Sequence, residues 1–166
     1  LTEIRIRNER PEDLATIHAL TATAFEGRVY SDGSEPRIVD QLRCDGDLAL
    51  SLVAADSRRI VGHIAFSPVT ISDGTEGWYG LGPVSVWPEL QRQGIGSALI
   101  RKGLANLQTM GTKGVVLLGS TEYYPRFGFE HDPKLVYPGP PAEKFQRLVL
   151  SGPAPEGTVS YAPAFG

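Results

Sequence analysis

The residues best suited to chemistry lie in the stretch Gln91-Arg92-Gln93-Gly94-Ile95-Gly96-Ser97, which opens onto a run with helical apolar spacing. A helix starting there presents unsatisfied N–H groups and a partial positive charge in its first turn. Gly94 and Gly96 remove side chains that would keep an anion from those groups, and Gln91, Arg92 and Gln93 add donors at the rim. The chemistry favoured is the holding of a phosphate or pyrophosphate. It is not of the Walker type, which needs Gly-Lys-Ser/Thr, nor a dinucleotide fingerprint, since Leu99 stands where a third glycine belongs. Two glycines alone serve equally well for tight packing of a helix on a strand, so the loop by itself leaves both readings open.

A strand must deliver this loop and a helix must leave it. Trp78–Val86 reads as the strand, and Gly80, Gly82 and Pro83 within it predict a bulge or a close backbone approach. Ile95–Met110 reads as the helix, with Ile95, Leu99, Ile100, Leu104 and Leu107 on its apolar face and Gly111 as its stop. Val115–Leu118 is a short buried strand, so Trp78–Leu118 forms a strand–helix–strand crossover, expected to be right-handed and parallel. Upstream, Thr2–Arg7 alternates as a half-buried strand does. Pro11 suits the first position of a helix carrying Leu14, Ile17 and Leu20, and Ser34 suits the N-cap of a second, carrying Ile38, Val39 and Leu42 and ended by Gly46. Leu48–Ala55 and Ile60–Ile71 read as strands joined by the turn Asp56–Arg59. A short turn (Thr121–Arg126), a Pro/Gly-rich loop (Pro138–Pro141) and two late strands (Phe145–Leu150, Gly157–Tyr161) complete the order β α α β β β α β α β β.

At 166 residues the chain suits one domain, and 41% apolar with 21% charged residues is the balance of an ordinary globular protein. A net charge of −3 gives no global basic field for nucleic acid or anionic membrane, so an anion must be held locally. Cys44 is the only cysteine, which rules out an internal disulfide and a cysteine metal cluster, and no metal site is expected. Apolar runs such as Val115–Leu118 are far too short to span a bilayer, and the N-terminus lacks a signal-peptide layout. A cytoplasmic setting is the expectation.

The loop belongs to a longer pattern. Gln91-Arg92-Gln93-Gly94-Ile95-Gly96 resembles the Gln/Arg-x-x-Gly-x-Gly/Ala signature of the GNAT N-acetyltransferase superfamily. The resemblance takes in Val61-Gly62-His63-Ile64, Leu81-Gly82-Pro83-Val84-Ser85-Val86, Tyr123-Tyr124-Pro125-Arg126-Phe127-Gly128-Phe129 and the end of the chain from Gly157 to Phe165, which is similar to one bacterial branch of small N-acetyltransferases. It implies an α/β (α+β) domain over residues 1–166: a mostly antiparallel twisted sheet with a splayed parallel central pair, flanked by helices. It also implies acetyl-CoA as co-substrate. Pantetheine would lie along Val84, Ser85 and Val86, and the pyrophosphate would meet the N–H groups of Arg92, Gln93, Gly94, Ile95, Gly96 and Ser97, with Gln91 at the rim; Ser120, where this chain departs from the pattern, is a candidate to bond the pantetheine or an ordered water. Tyr124, four residues before Gly128, takes the position of the family's proton donor to the departing thiolate, and a backbone N–H near Val84 that of the oxyanion donor.

The base is not assigned by the pattern. Many relatives carry a carboxylate on the bulged strand, but Leu81–Val86 has none; Glu26, Glu35, His63 and Glu122 are the candidates elsewhere, Glu26 and Glu35 flanking the expected acceptor loop 27–33, and loss of the amine proton to water through a wire is the equal alternative. Where the branch often has Asp-Pro or His-Pro after the second central strand, this chain has Ser120-Thr121. The expected reaction is direct transfer of an acetyl group from acetyl-CoA to an amine in a ternary complex, without an acyl-enzyme on Cys44. The alternative is a non-catalytic acyl-CoA sensor. Expected partners are acetyl-CoA and an amine; a second copy of the chain stays open as a partner.

Overall fold

The N-terminal alternation becomes β1 (Arg5–Asn8) in a computed structural model that describes residues 3–166, so the Thr2 start of the expected strand lies outside the described residues. β1 is the edge of a six-stranded sheet with β2 (Leu50–Ala55), β3 (Ile60–Pro68), β5 (Trp78–Val86), β6 (Gly114–Leu118) and β8 (Phe145–Val149), in the order β1-β2-β3-β5-β6-β8. Every pairing is antiparallel except β5–β6. A second sheet holds β4 (Thr70–Ile71), β7 (Leu135–Val136) and β9 (Gly157–Ser160) in the order β4-β9-β7.

β2 and β3 are buried on nearly every residue because helices cover both faces of the sheet. Leu50, Leu52 and Ala54 meet α3 (Ile95–Thr109), while Val53 meets α1 (Leu14–Phe25) and α2 (Glu35–Asp45) through Ile17, Leu20 and Val39. On α3, Leu99, Ile100 and Leu107 are fully buried, each contributing about 1.5–3 kcal/mol of hydrophobic stabilisation. These contacts fix the start of α3 against the end of β5.

β5 and β6 pair only at Trp78↔Gly114, Tyr79↔Val115 and Gly80↔Val116. Beyond Gly80, β5 stays with β3 and β6 stays with β8 out to Leu118↔Phe145, so the two strands part. The parting coincides with a bulge. The β3–β5 register runs from Phe66↔Leu81 to Ile64↔Val84, leaving Gly82 and Pro83 opposite Ala65 alone. The expected bulge and the splayed parallel pair are both present.

Local differences have local causes. Pro11 opens a 3-10 turn, and α1 proper begins at Leu14. The Ser34 hydroxyl turns back to Asp32 and leaves the amides of α2 uncapped. The run Ile60–Ile71 breaks at Val69, whose N–H bonds to the Trp78 carbonyl, and β4 crosses into the second sheet. β7, two residues between turns, was too short to register as a strand in the sequence.

Candidate active site

The wedge between β5 and β6 has one wall with spare backbone groups. Trp87 N–H bonds to the Val61 carbonyl, and an antiparallel ladder alternates, so Ser85 turns its backbone to His63 while Val84 and Val86 turn theirs to the open side. The Val86 carbonyl is taken by the Gln91 side-chain amide at 3.0 Å. Among the described residues, Val84 N–H and C=O and Val86 N–H are left without a ladder partner on this wall. Ser85 faces the other way, its hydroxyl buried.

Directly beyond lies the loop to α3. Arg92 adopts φ 64° and Gly94 φ 88°, both left-handed, and this curls the chain so that successive amides point the same way. The first amide committed to the helix is Ala98 N–H, bonded to the Gly94 carbonyl at 3.0 Å. The N–H groups of Arg92 to Ser97 have no acceptor among the described residues. Ile95 contributes only its backbone, since its side chain packs in the core. At Gly96 an added Cβ would stand 3.9 Å from Tyr123 Oη and 4.0 Å from Val86 Cγ2, one atom from each wall. Gly96 therefore keeps the mouth of the wedge open.

The opposite wall is the turn after β6. Ser120 Oγ accepts from the N–H groups of Glu122 and Tyr123, both at 3.1 Å, and so shapes the turn that presents the two tyrosines. Tyr123 Oη lies 2.9 Å from Ser97 Oγ. Tyr124 folds its ring back over Gly119, where a Cβ would come within 2.3 Å of it, so only glycine permits this pose. Its hydroxyl has no hydrogen bond among the described residues and is not sealed from solvent. Burial of the ring, aided by Tyr123 and Tyr30, pushes the Tyr124 phenol up to about 12, so it keeps its proton throughout the working range. The structure thus separates the two neighbours: Tyr123 is engaged at the helix start, and Tyr124 offers a free donor.

Of the four candidate bases, His63 is fully buried. Arg43 grips Glu9 with two bonds of 2.8 Å, Ser51 Oγ donates to Glu9, and His63 Nε2 lies 2.8 Å from Ser51 Oγ. Since the serine proton is spent on the carboxylate, Nε2 must donate and Nδ1 is the bare nitrogen, which has no partner among the described residues. Burial, reinforced by Arg43 against the pull of Glu9, pushes the His63 imidazole down to about 4. A histidine neutral to that depth is a structural member of a polar chain under α1 and α2. Glu35 accepts from Ser31 Oγ at 2.5 Å, and Glu122 is exposed on the turn. Glu26 lines a cavity of about 500 Å³ with Phe25, Gly27, Arg28 and Asp32.

The His63 shift makes stability depend on pH. Between the unfolded value of about 6.5 and the folded value of about 4, the unfolded chain binds the extra proton. Stability is therefore complete above about 6.5 and falls as pH drops through that window, by about 3 kcal/mol in all. Urea unfolding at pH 7 and 4.5 should show a clearly smaller loss for His63→Gln than for the wild type. Equal losses would contradict a buried neutral imidazole.

Arg28 and Tyr30 were not singled out in the sequence. Arg28 Nη2 donates to Gln91 Oε1 at 3.2 Å, and Tyr30 stands close enough to Tyr124 to raise it. Both lie in the loop between α1 and α2, where neither periodicity nor motif marks a residue.

A splayed parallel pair, a bulged strand with a free edge and an amide nest at the following helix define an acyltransferase scaffold. The family profile of the acetyltransferase (GNAT) domain matches residues 5–131, and the chain belongs to that family. It is 40% identical over 139 residues to the uncharacterized N-acetyltransferase YhbS of Escherichia coli K12, covering 81% of this chain and 80% of that protein. A GNAT family acetyltransferase from Brucella melitensis, solved in complex with acetyl-CoA, is 46% identical with a TM-score of 0.89, covering 100% of both chains. Escherichia coli YhbS, solved in complex with CoA, is 35% identical with a TM-score of 0.90, covering 99% of this chain and 93% of that one.

Proposed function

We propose that residues 1–166 act as one N-acetyltransferase domain that moves an acetyl group from acetyl-CoA directly to an amine in a ternary complex. The observation that carries this reading is the run of unpaired amides from Arg92 to Ser97, set at the mouth of a wedge whose β5 wall has a free backbone edge. Similar proteins solved with acetyl-CoA and CoA support it.

The nest and Arg92 hold the pyrophosphate, and Gly96 leaves it room. Val84 and Val86 pair with the pantetheine amides as a neighbouring strand would. Ser97 and Ser120 act by shaping the mouth, through Tyr123 and through the turn amides. Acetyl-CoA supplies the thioester; the amine nitrogen forms a bond to its carbonyl carbon and the carbon–sulfur bond breaks. Val84 N–H is aimed where charge gathers on the carbonyl oxygen. Tyr124 Oη holds its proton toward the sulfur as that atom becomes negative. β5 has no carboxylate to take protons, so the ammonium gives one to solvent before attack. The second, shed by the nitrogen once the carbon–nitrogen bond has formed, passes through solvent to the departing sulfur, which leaves as the thiol. The setting proposed is the cytoplasm; among the described residues no helix is long and apolar enough to cross a membrane.

The test is turnover of acetyl-CoA with a panel of small-molecule and peptide amines, read as free thiol. Thiol release that depends on an amine supports the enzyme. Tight acetyl-CoA binding without release against the whole panel favours the sensor.

A further inference from the structure

We propose that Arg28 is a ligand of the CoA pyrophosphate, contributed by the loop between α1 and α2, so that the bound donor fastens this loop and completes the cavity beside it. The proposal rests on the function proposed above.

Arg28 leaves the end of α1 with its N–H on the Phe25 carbonyl at 3.2 Å, and its own carbonyl accepts from Ser31 N–H at 3.1 Å. The side chain turns out of this loop toward the nest. Nε reaches the Ala24 carbonyl at 3.5 Å and Nη2 reaches Gln91 Oε1 at 3.2 Å. Gln91 in turn holds the Val86 carbonyl, so the guanidinium is tied to the end of β5 and the first residue of the nest loop.

The partners of Arg28 are neutral oxygens. A guanidinium has five N–H donors in a planar fork that fits two phosphate oxygens, and most of them are unused here. Among the described residues, neither Arg28 nor Arg92 pairs with a carboxylate. Two unneutralised cations thus flank amides that also lack acceptors. Both deficits are met by one dianionic group. A surface arginine held by water is the simpler alternative, but it does not explain why the chain spends Gln91 on joining this loop to β5.

Arg28 also lines the cavity of about 500 Å³, together with Phe25, Glu26, Ser31 and Asp32. The same loop carries Tyr30, whose ring packs edge-on against Phe25 at 6.2 Å. The Arg–Gln contact sets a cation against a neutral amide oxygen and holds such a loop weakly; a bidentate pair of guanidinium and phosphate, charged on both sides, holds it firmly. The donor therefore sets the cavity wall.

The experiment compares wild type, Arg28→Gln and Arg28→Lys for CoA and for pantetheine, which lacks the pyrophosphate. Hydrogen exchange of residues 26–33 is followed in parallel. Arg28→Gln should weaken CoA about tenfold or more, Arg28→Lys should recover part of that, and pantetheine affinity should not change. CoA should slow exchange across residues 26–33 in the wild type but not in Arg28→Gln. Equal CoA affinity in the wild type and Arg28→Gln, an equal loss for pantetheine, or protection that survives Arg28→Gln would each overturn the proposal while leaving the proposed function intact. Absence of CoA binding by the wild type would overturn the proposed function, and the role of Arg28 with it.

Discussion

Tyr124→Phe should lower kcat by about 10²-fold in single-turnover assays and leave CoA affinity within about twofold. Phenylalanine keeps the ring over Gly119 and its contacts with Phe127 and Phe129, so the turn after β6 should hold. What disappears is one hydroxyl with no other hydrogen-bonding duty among the described residues. The magnitude follows from the acidities. A thiol titrates near ~8.5, and the Tyr124 phenol is pushed up to about 12, so at equilibrium the proton stays on oxygen. Tyr124 then works by donating a strong hydrogen bond to the departing sulfur, which accounts for an effect of this size. Tyr123→Phe is the control. It breaks the 2.9 Å contact with Ser97 at the helix start, so it should touch cofactor affinity a little and kcat hardly at all. Equal effects of the two substitutions on kcat would remove Tyr124 from its role.

Gly96→Val should cost about 10²-fold in CoA affinity, equivalent to ~2.7 kcal/mol, while unfolding stability changes by less than ~1 kcal/mol. The two readouts separate because of where the side chain would go. It enters the gap between Val86 and Tyr123, where nothing stands closer than 3.9 Å to a new Cβ. A helix is slightly easier to build with valine than with glycine. A cofactor passing through the gap would meet the two new methyl groups. Gly96→Ala should give a smaller loss of the same kind. An unfolded Gly96→Val protein, or one that binds CoA normally, would contradict the role given to the nest.

Features carried by near neighbours in the chain were legible in advance. Gly94 and Gly96 at the start of an apolar helix, and Gly82-Pro83 inside a strand, act within a few residues of themselves. Both the nest geometry and the bulge follow from that local steric freedom. Ser34 shows the limit even there, because its hydroxyl had a competing partner two residues back in Asp32. The parting of β5 and β6 into a wedge came through the family resemblance, while Gly82-Pro83 marked the strand where regular pairing fails, just beyond the last β5–β6 pair at Gly80. Contacts between distant segments were invisible. Arg28 and Gln91 are 63 residues apart, and the Glu9, Arg43, Ser51 and His63 chain draws on four separate segments. His63 is the clearest case. A histidine on an apolar strand suits a base as well as a buried neutral ring, and only its enclosure decides between them.

The most direct measurement is a calorimetric titration of the wild-type protein with acetyl-CoA and with CoA. The amide nest and the free edge of β5 contact groups common to both, so both should bind at one site with similar affinity, weakening modestly with salt because Arg28 and Arg92 add charge to a largely backbone-built site. No binding of either ligand would contradict the assignment of the wedge as an acyl-CoA site.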